Sequence, residues 1–146
     1  MFTDQIFVLL GHNGAGKTST VAMLTGLYRA SYGTATVFGQ DILEDVDEVR
    51  KLMGVCPQHD VLFDLLTPEE HLEMFYEFKG ADKTNKKAEI NQLLEDIGVA
   101  DKRDNLSKTL SGGNKRKLSV AIALCGGSRF VLLDEPTSGL DISARR

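Results

Sequence analysis

Near the start of the chain, Gly11-His12-Asn13-Gly14-Ala15-Gly16-Lys17-Thr18 fits the pattern G-x-x-x-x-G-K-[ST], and no other stretch constrains the fold as tightly. Gly14 and Gly16 let the backbone curl so that successive N–H groups face phosphate oxygens. A helix that follows adds its positive N-terminal end. Lys17 would reach the β and γ phosphates, and the Thr18 hydroxyl would hold Mg²⁺. Asn13, Ala15 and Ser19 complete the candidate cradle. Upstream, Gln5-Ile6-Phe7-Val8-Leu9-Leu10 is apolar and partly β-branched, which predicts a buried strand with Phe7 in the core. Downstream, Val21, Leu24 and Tyr28 recur at helical spacing. The pattern therefore predicts a strand–loop–helix unit that takes a nucleoside triphosphate.

At 146 residues the chain is one domain's worth. Seventeen basic against 21 acidic side chains argue against a nucleic-acid footprint, which is usually basic. No apolar run approaches the roughly 18 residues needed to span a bilayer, and the first residues lack the layout of a signal peptide. Cys56 and Cys125 stand in apolar contexts and read as buried, reduced thiols. His12, His59 and His71 have no metal-ligand spacing, which argues against zinc.

Thr34-Ala35-Thr36-Val37-Phe38 reads as a strand closed by Gly39-Gln40, and residues 45–53 as an amphipathic helix with Val46, Val49, Leu52 and Met53 on one side. Gly54-Val55-Cys56 is a brief strand stopped by Pro57, with Gln58 at its end. The texture then turns helical. Thr67 and Glu70 make a capping box with Pro68 at the first position. Leu72, Phe75, Tyr76 and Lys79 mark one face, and Gly80 the stop. Residues 83–87 read as a solvated helix start. Ile90, Leu93, Leu94 and Ile97 line a second helix that ends at Gly98. A third begins at Leu110-Ser111-Gly112-Gly113-Asn114, carries Leu118, Ala121, Ile122 and Cys125, and ends at Gly126-Gly127. Residues from about 60 to 127 thus form a helical insert between pieces of an α/β core, 1–59 and 128–146.

Arg129-Phe130-Val131-Leu132-Leu133 returns to a buried-strand pattern and delivers Asp134-Glu135 at its carboxyl end, where ligands of open parallel sheets gather. Asp134 would hold Mg²⁺ opposite Thr18. Glu135, next along, is placed to polarise a water for in-line attack on the γ-phosphate. Ser111-Gly112-Gly113 at a helix start offers a hydroxyl and two unobstructed N–H groups, a second phosphate-binding surface. One nucleotide seldom needs two such surfaces in one chain; a dimer does.

The set Gly11-His12-Asn13-Gly14-Ala15-Gly16-Lys17-Thr18, Gln58, Leu110-Ser111-Gly112-Gly113, Val131-Leu132-Leu133-Asp134-Glu135 and Ser138-Gly139-Leu140-Asp141 resembles, in order and spacing, the nucleotide-binding domain of ABC transporters. In that family these are the Walker A loop, Q-loop, signature, Walker B and D-loop. The stretches from Gly54 to Thr67 and Lys115-Arg116-Lys117-Leu118-Ser119 look like the eukaryotic A subfamily, whose members mostly move lipids. The resemblance implies a P-loop NTPase (RecA-like) α/β core with an inserted helical subdomain, and Mg²⁺-dependent ATP hydrolysis coupled to transmembrane transport. It implies that Glu135 is the catalytic base and that Gln58 senses nucleotide, joining Thr18 and Asp134 around the metal. Ser111, Gly112, Gly113 and Asp141 would meet ATP across a dimer interface. The implied partners are a second nucleotide-binding domain, in the same polypeptide, and transmembrane domains, with no nucleic acid. The implied place is the cytoplasmic face of a membrane, as part of an integral transporter.

Asn114 stands where the wider family most often has Gln; its amide is one methylene shorter. The family's adenine-stacking aromatic and γ-phosphate histidine have no counterpart in residues 1–146, for which Phe2, Phe7 and the three histidines are poor substitutes. The chain is therefore expected to be a fragment truncated at both ends, weak in ATP binding and turnover by itself. At Lys115-Arg116-Lys117 two readings stay open, a solvated face or a supporting field for bound phosphate. Three rivals fit less well. A soluble ABC-type ATPase acting on nucleic acid or ribosomes sits badly with the acidic balance and the short stretch between Gln58 and Ser111. A P-loop kinase has no use for the Ser111-Gly112-Gly113 surface. A regulatory module without turnover sits badly with intact Lys17, Asp134 and Glu135.

Overall fold

The computed structural model describes residues 5–136. Its best-closed part is built from three capped helices. Helix α3 (Pro68–Phe78) starts on a reciprocal cap: the Thr67 hydroxyl accepts from the Glu70 N–H, and the Glu70 carboxylate accepts from the Thr67 N–H at 2.7 Å. It stops at Gly80, whose φ of +61° is the left-handed conformation that ends helices. Helix α4 (Lys86–Asp96) ends the same way at Gly98, and α5 (Gly112–Leu124) begins where the Ser111 hydroxyl accepts from the Asn114 N–H. Leu72, Ile90, Leu94, Val99, Leu110, Leu118, Ala121, Ile122 and Cys125 close one core between these helices. Burial of each large apolar side chain stabilises by about 1.5–3 kcal/mol. The Arg103 guanidinium, bonded to Glu69 at 2.7 Å and Asn91 at 2.8 Å, ties the connection after α4 back onto α3 and α4.

The sheet elements numbered in chain order are β1 (Thr36–Val37), β2 (Gln40–Asp41), β3 (Met53–Cys56) and β4 (Phe130–Leu133), with α1 (Lys17–Leu24) before them and α2 (Val46–Leu52) between β2 and β3. Strands β3 and β4 pair in parallel, Met53 opposite Phe130 and Cys56 opposite Leu133. A parallel pair needs a crossover, and the helices α3, α4 and α5 lie within it. Helix α5 lies so close to β3 that a Cβ at Gly54 would stand 1.7 Å from the Ala123 carbonyl oxygen. Val37, Ile42, Val49 and Met53 form a second, smaller core. Burial pushes the Cys125 thiol up to about 11 and Cys56 up as well, so both free thiols pack as protonated, apolar groups. No helix among the described residues is long and apolar enough to cross a membrane.

Four sequence expectations need correction. Residues 5–10 form no strand, and Phe7 is exposed rather than in the core, with Ile6 at 95% exposure. Apolar character makes a segment able to pair but does not supply an edge, and no described strand pairs with this one. Tyr28 lies beyond α1 and is exposed, because Gly26 (φ +71°) turns the chain first. The strand expected over residues 34–38 is only β1; Phe38 (φ +50°) and Gly39 (φ +86°) form the two-residue turn of a β1–β2 hairpin. The Arg129 guanidinium sits 4.1 Å from the Phe38 ring centroid and holds that turn. Strand β4 starts after Arg129 and is half-exposed rather than buried, because among the described residues it has a neighbour on one edge only.

Candidate functional site

Because β3 and β4 run parallel and in register, their carboxyl ends deliver Pro57-Gln58 and Asp134-Glu135 side by side. The ladder runs one step past Leu133, the Asp134 N–H donating to the Cys56 carbonyl at 2.9 Å. The Asp134 side chain is buried, and its Oδ2 accepts from the Thr18 hydroxyl at 2.9 Å. Gln58 Nε2 donates to Glu135 Oε2 at 3.2 Å. Glu135 has a φ of +48°, left-handed backbone that non-glycine residues seldom adopt, and such outliers collect at functional sites. Thr18, Gln58 and the neighbouring Asp134 and Glu135, three places distant in sequence, thus meet as two contacts.

Around the loop, Gly14 and Gly16 have φ of +83° and +89°, and a Cβ at either would meet nothing within 4 Å. Gly16 caps α1 without a side-chain acceptor, so it leaves the first-turn N–H groups to another partner. The Lys17 ammonium donates to the carbonyls of Gly11 at 2.8 Å and His12 at 3.2 Å, folded onto its own loop. Asn13 and Ala15 are exposed beside it, as is Ser19 in the first turn of α1. The donor set suits Mg²⁺: a hydroxyl and a carboxylate oxygen are hard ligands, and this ion takes one or two of them while water and phosphate fill the rest. Among the described residues no three His, Cys, Asp or Glu side chains form a metal cage of their own.

Ser111 and Gly112 lie exposed at the start of α5, with Gly113 half-buried behind them. A Cβ at Gly112 would meet nothing within 4 Å, so the surface above this helix start is open. The Ser111 oxygen already accepts from Asn114, which leaves its O–H free to donate. Among the described residues no hydrogen bond joins Ser111, Gly112 or Gly113 to Lys17, Thr18 or Asp134. Asp141 lies outside the described residues.

Arg116 overturns the solvated-face reading of the Lys115-Arg116-Lys117 run at its central residue. It is 2% exposed. Its Nη2 donates to the Asp134 and Glu135 carbonyls, its Nε to Pro136, and its Nη1 to the Pro57 carbonyl and Asp60 Oδ1. The signal that would have found it is a second buried face of α5: Arg116, Ser119 and Ala123 recur at i, i+3 and i+7, and all are buried. Asp60 was missed too; its Oδ1 also lies 3.1 Å from the Ser119 hydroxyl. His71 is fully buried, its Nε2 accepting from the Phe63 N–H at 2.8 Å and its Nδ1 bonded to the Thr67 carbonyl. Burial holds its pKa below the ordinary histidine value, although the Thr67 bond opposes this, so the ring is neutral with the proton on Nδ1.

A family model described as ABC transporter matches residues 1–138. The chain is 51% identical over 146 residues to ATP-binding cassette sub-family A member 2 of Homo sapiens, covering all of this chain and 6% of that protein. It is 52% identical over 146 residues to phospholipid-transporting ATPase ABCA3 of Rattus norvegicus, again over its full length and 9% of the relative. Sub-family A member 7 of Mus musculus is 46% identical over 145 residues, 99% of this chain and 7% of the relative. The chain therefore spans less than a tenth of the length of these curated relatives. Among solved structures, an ATP-binding subunit of an ABC transporter superposes with a TM-score of 0.84 at 26% identity, covering 93% of this chain and 57% of the other.

Proposed function

Because the chain belongs to the ABC transporter family, we propose that it is the ATP-binding, ATP-hydrolysing domain of a transporter that moves lipid, with a core of residues 1–59 and 128–146 and a helical subdomain over about 60–127. One observation carries this reading. Thr18 meets Asp134 at 2.9 Å and Gln58 meets Glu135 at 3.2 Å, at the adjoining ends of β3 and β4.

Lys17 exchanges the loop carbonyls of Gly11 and His12 for phosphate oxygens, a charge-assisted and stronger set of bonds. The N–H groups over residues 13–19 bind the same phosphates at the positive end of α1. Thr18, Asp134 and Gln58 are the groups that would hold Mg²⁺, which when bound would neutralise phosphate charge. Glu135 accepts the proton of the attacking water. Gln58, by donating to Glu135 Oε2, fixes which carboxylate oxygen faces that water. Ser111, whose O–H stays free to donate beside its cap to Asn114, binds with Gly112 and Gly113 the γ-phosphate carried by a second nucleotide-binding domain, with Asp141 at the same interface. Gln58 and the helical subdomain pass the nucleotide state to transmembrane partners at the cytoplasmic face of the membrane. The relatives' names, among them a phospholipid-transporting ATPase, support lipid as cargo.

The reading is tested in the complete protein with Glu135→Gln, which keeps the carbonyl oxygen that Gln58 bonds and removes the base. ATP binding is expected to persist while turnover falls by about 10²-fold or more. Turnover at the parent rate would remove Glu135 from its role.

A further inference from the structure

We propose that Arg116 is a positioning residue for hydrolysis, an inference that rests on the reading of Glu135 as the base. A guanidinium has five N–H donors, and all five are used. Nε donates to the Pro136 carbonyl at 3.0 Å; Nη2 donates to the carbonyls of Asp134 and Glu135, both at 2.9 Å. Nη1 donates to the Pro57 carbonyl at 2.6 Å and to Asp60 Oδ1 at 3.3 Å.

The choice of partners separates a positioning role from a purely stabilising one. A buried cation kept only for the fold is expected to be matched by a close carboxylate. Here the carboxylate contact is the longest of the five, and the other four bonds go to main-chain carbonyls of the two loop ends that carry Gln58 and Glu135. Three successive carbonyls, from Asp134 to Pro136, are held by one planar group. They bracket Glu135 in its left-handed conformation, where a released backbone would relax and swing the carboxylate away. The Pro57 carbonyl fixes the residue just before Gln58. One side chain therefore sets both halves of the Gln58–Glu135 contact. It bonds the main chain beside that contact and neither of the two side chains in it, and it sits on the helix that starts with Ser111, Gly112 and Gly113. Lysine cannot replace it, because three donors on one nitrogen cannot span acceptors laid out in a plane.

The test uses the complete protein, with the partner domain's own site silenced in every sample. It compares the parent with R116K, R116A and E135Q by steady-state turnover, affinity for a non-hydrolysable ATP analogue, and thermal midpoint. R116K is expected to fold and to lose turnover on the order of 10–100-fold, as a displacement near 1 Å of a catalytic group does. Its analogue affinity should stay within about threefold of the parent, since Lys17 and the loop are untouched. R116A should lose at least as much turnover. Parental turnover in R116K beside an inactive E135Q overturns the positioning role alone. So does a loss of affinity equal to the loss of turnover, or failure of both Arg116 variants to fold, which would assign the residue to stability. Parental turnover in E135Q would overturn the reading of Glu135 and this inference with it.

Discussion

In the helical unit, Leu72, Ile90, Leu94, Val99 and Leu118 are at most 2% exposed; ahead of the phosphate loop, Ile6, Phe7, Val8, Leu9 and Leu10 are between 49% and 95% exposed. The first region closes a core with its own caps and its own apolar faces. The second leads into the phosphate loop, whose ties among the described residues include the Thr18–Asp134 bond and the packing of Leu24 of α1 beside the smaller core. Stability and ligand chemistry are therefore held in different places. The helical unit is the scaffold, and through Arg116 it holds the ends of β3 and β4 in place. The loop side is expected to gain order from what binds there.

Substitutions can break or sharpen that contrast. The largest effect is expected from Gly54→Ala, since the new Cβ would meet the Ala123 carbonyl oxygen at 1.7 Å and force β3 from α5. The loss should be about 3 kcal/mol or more in denaturant unfolding. Leu118→Ala, inside the helical core, should cost about 3 kcal/mol by the same measurement. Thr67→Ala removes half of the capping box and should cost about 1 kcal/mol.

A smaller effect depends on pH. The His71 pKa is lowered on folding, so the unfolded chain binds the proton more readily. The stability His71 contributes is complete above its unfolded value near 6.5 and is lost as pH falls from there through the folded value. Unfolding midpoints measured between pH 7.5 and 5 should fall with pH, and His71→Gln should flatten that part of the slope. Smallest of all, Phe7→Ser should stay within about 0.5 kcal/mol of the parent. A loss above 2 kcal/mol there would place residues 5–10 in a core and erase the contrast.

How much of this was legible depended on whether the signal was local. Thr67 with Glu70, Gly80 and Gly98 each act through bonds only a few residues long, and each does what its type and position foretold. The strand ends carrying Gln58 and Asp134-Glu135 were legible as well, because apolar β-branched runs stopped by Pro57 or by carboxylates have few other uses. Residues 5–10 share that texture, but pairing is a property of two segments and a single run cannot reveal its partner. Phe38 continues the strand-like run from Thr34, and aromatic residues favour strands; the two-residue hairpin needs it at positive φ instead. Arg116 was hidden for a different reason. Its flanking lysines made a charged run, and the small residues Ser119 and Ala123 that mark its buried face carry little hydrophobic signal.

The loop around Lys17 is expected to bind Mg²⁺–ATP, and that binding, not apolar packing, is expected to order this side of the molecule. The direct measurement is the thermal midpoint of Met1–Arg146 titrated with Mg²⁺–ATP, beside Lys17→Ala. Without nucleotide the two midpoints should agree, since the ammonium bonds only exposed carbonyls of its own loop. With nucleotide the parent midpoint should climb, by the equivalent of about 2.7 kcal/mol at 100 times Kd, and the variant's should not. Equal climbs in both chains, or none in the parent, would contradict the claim.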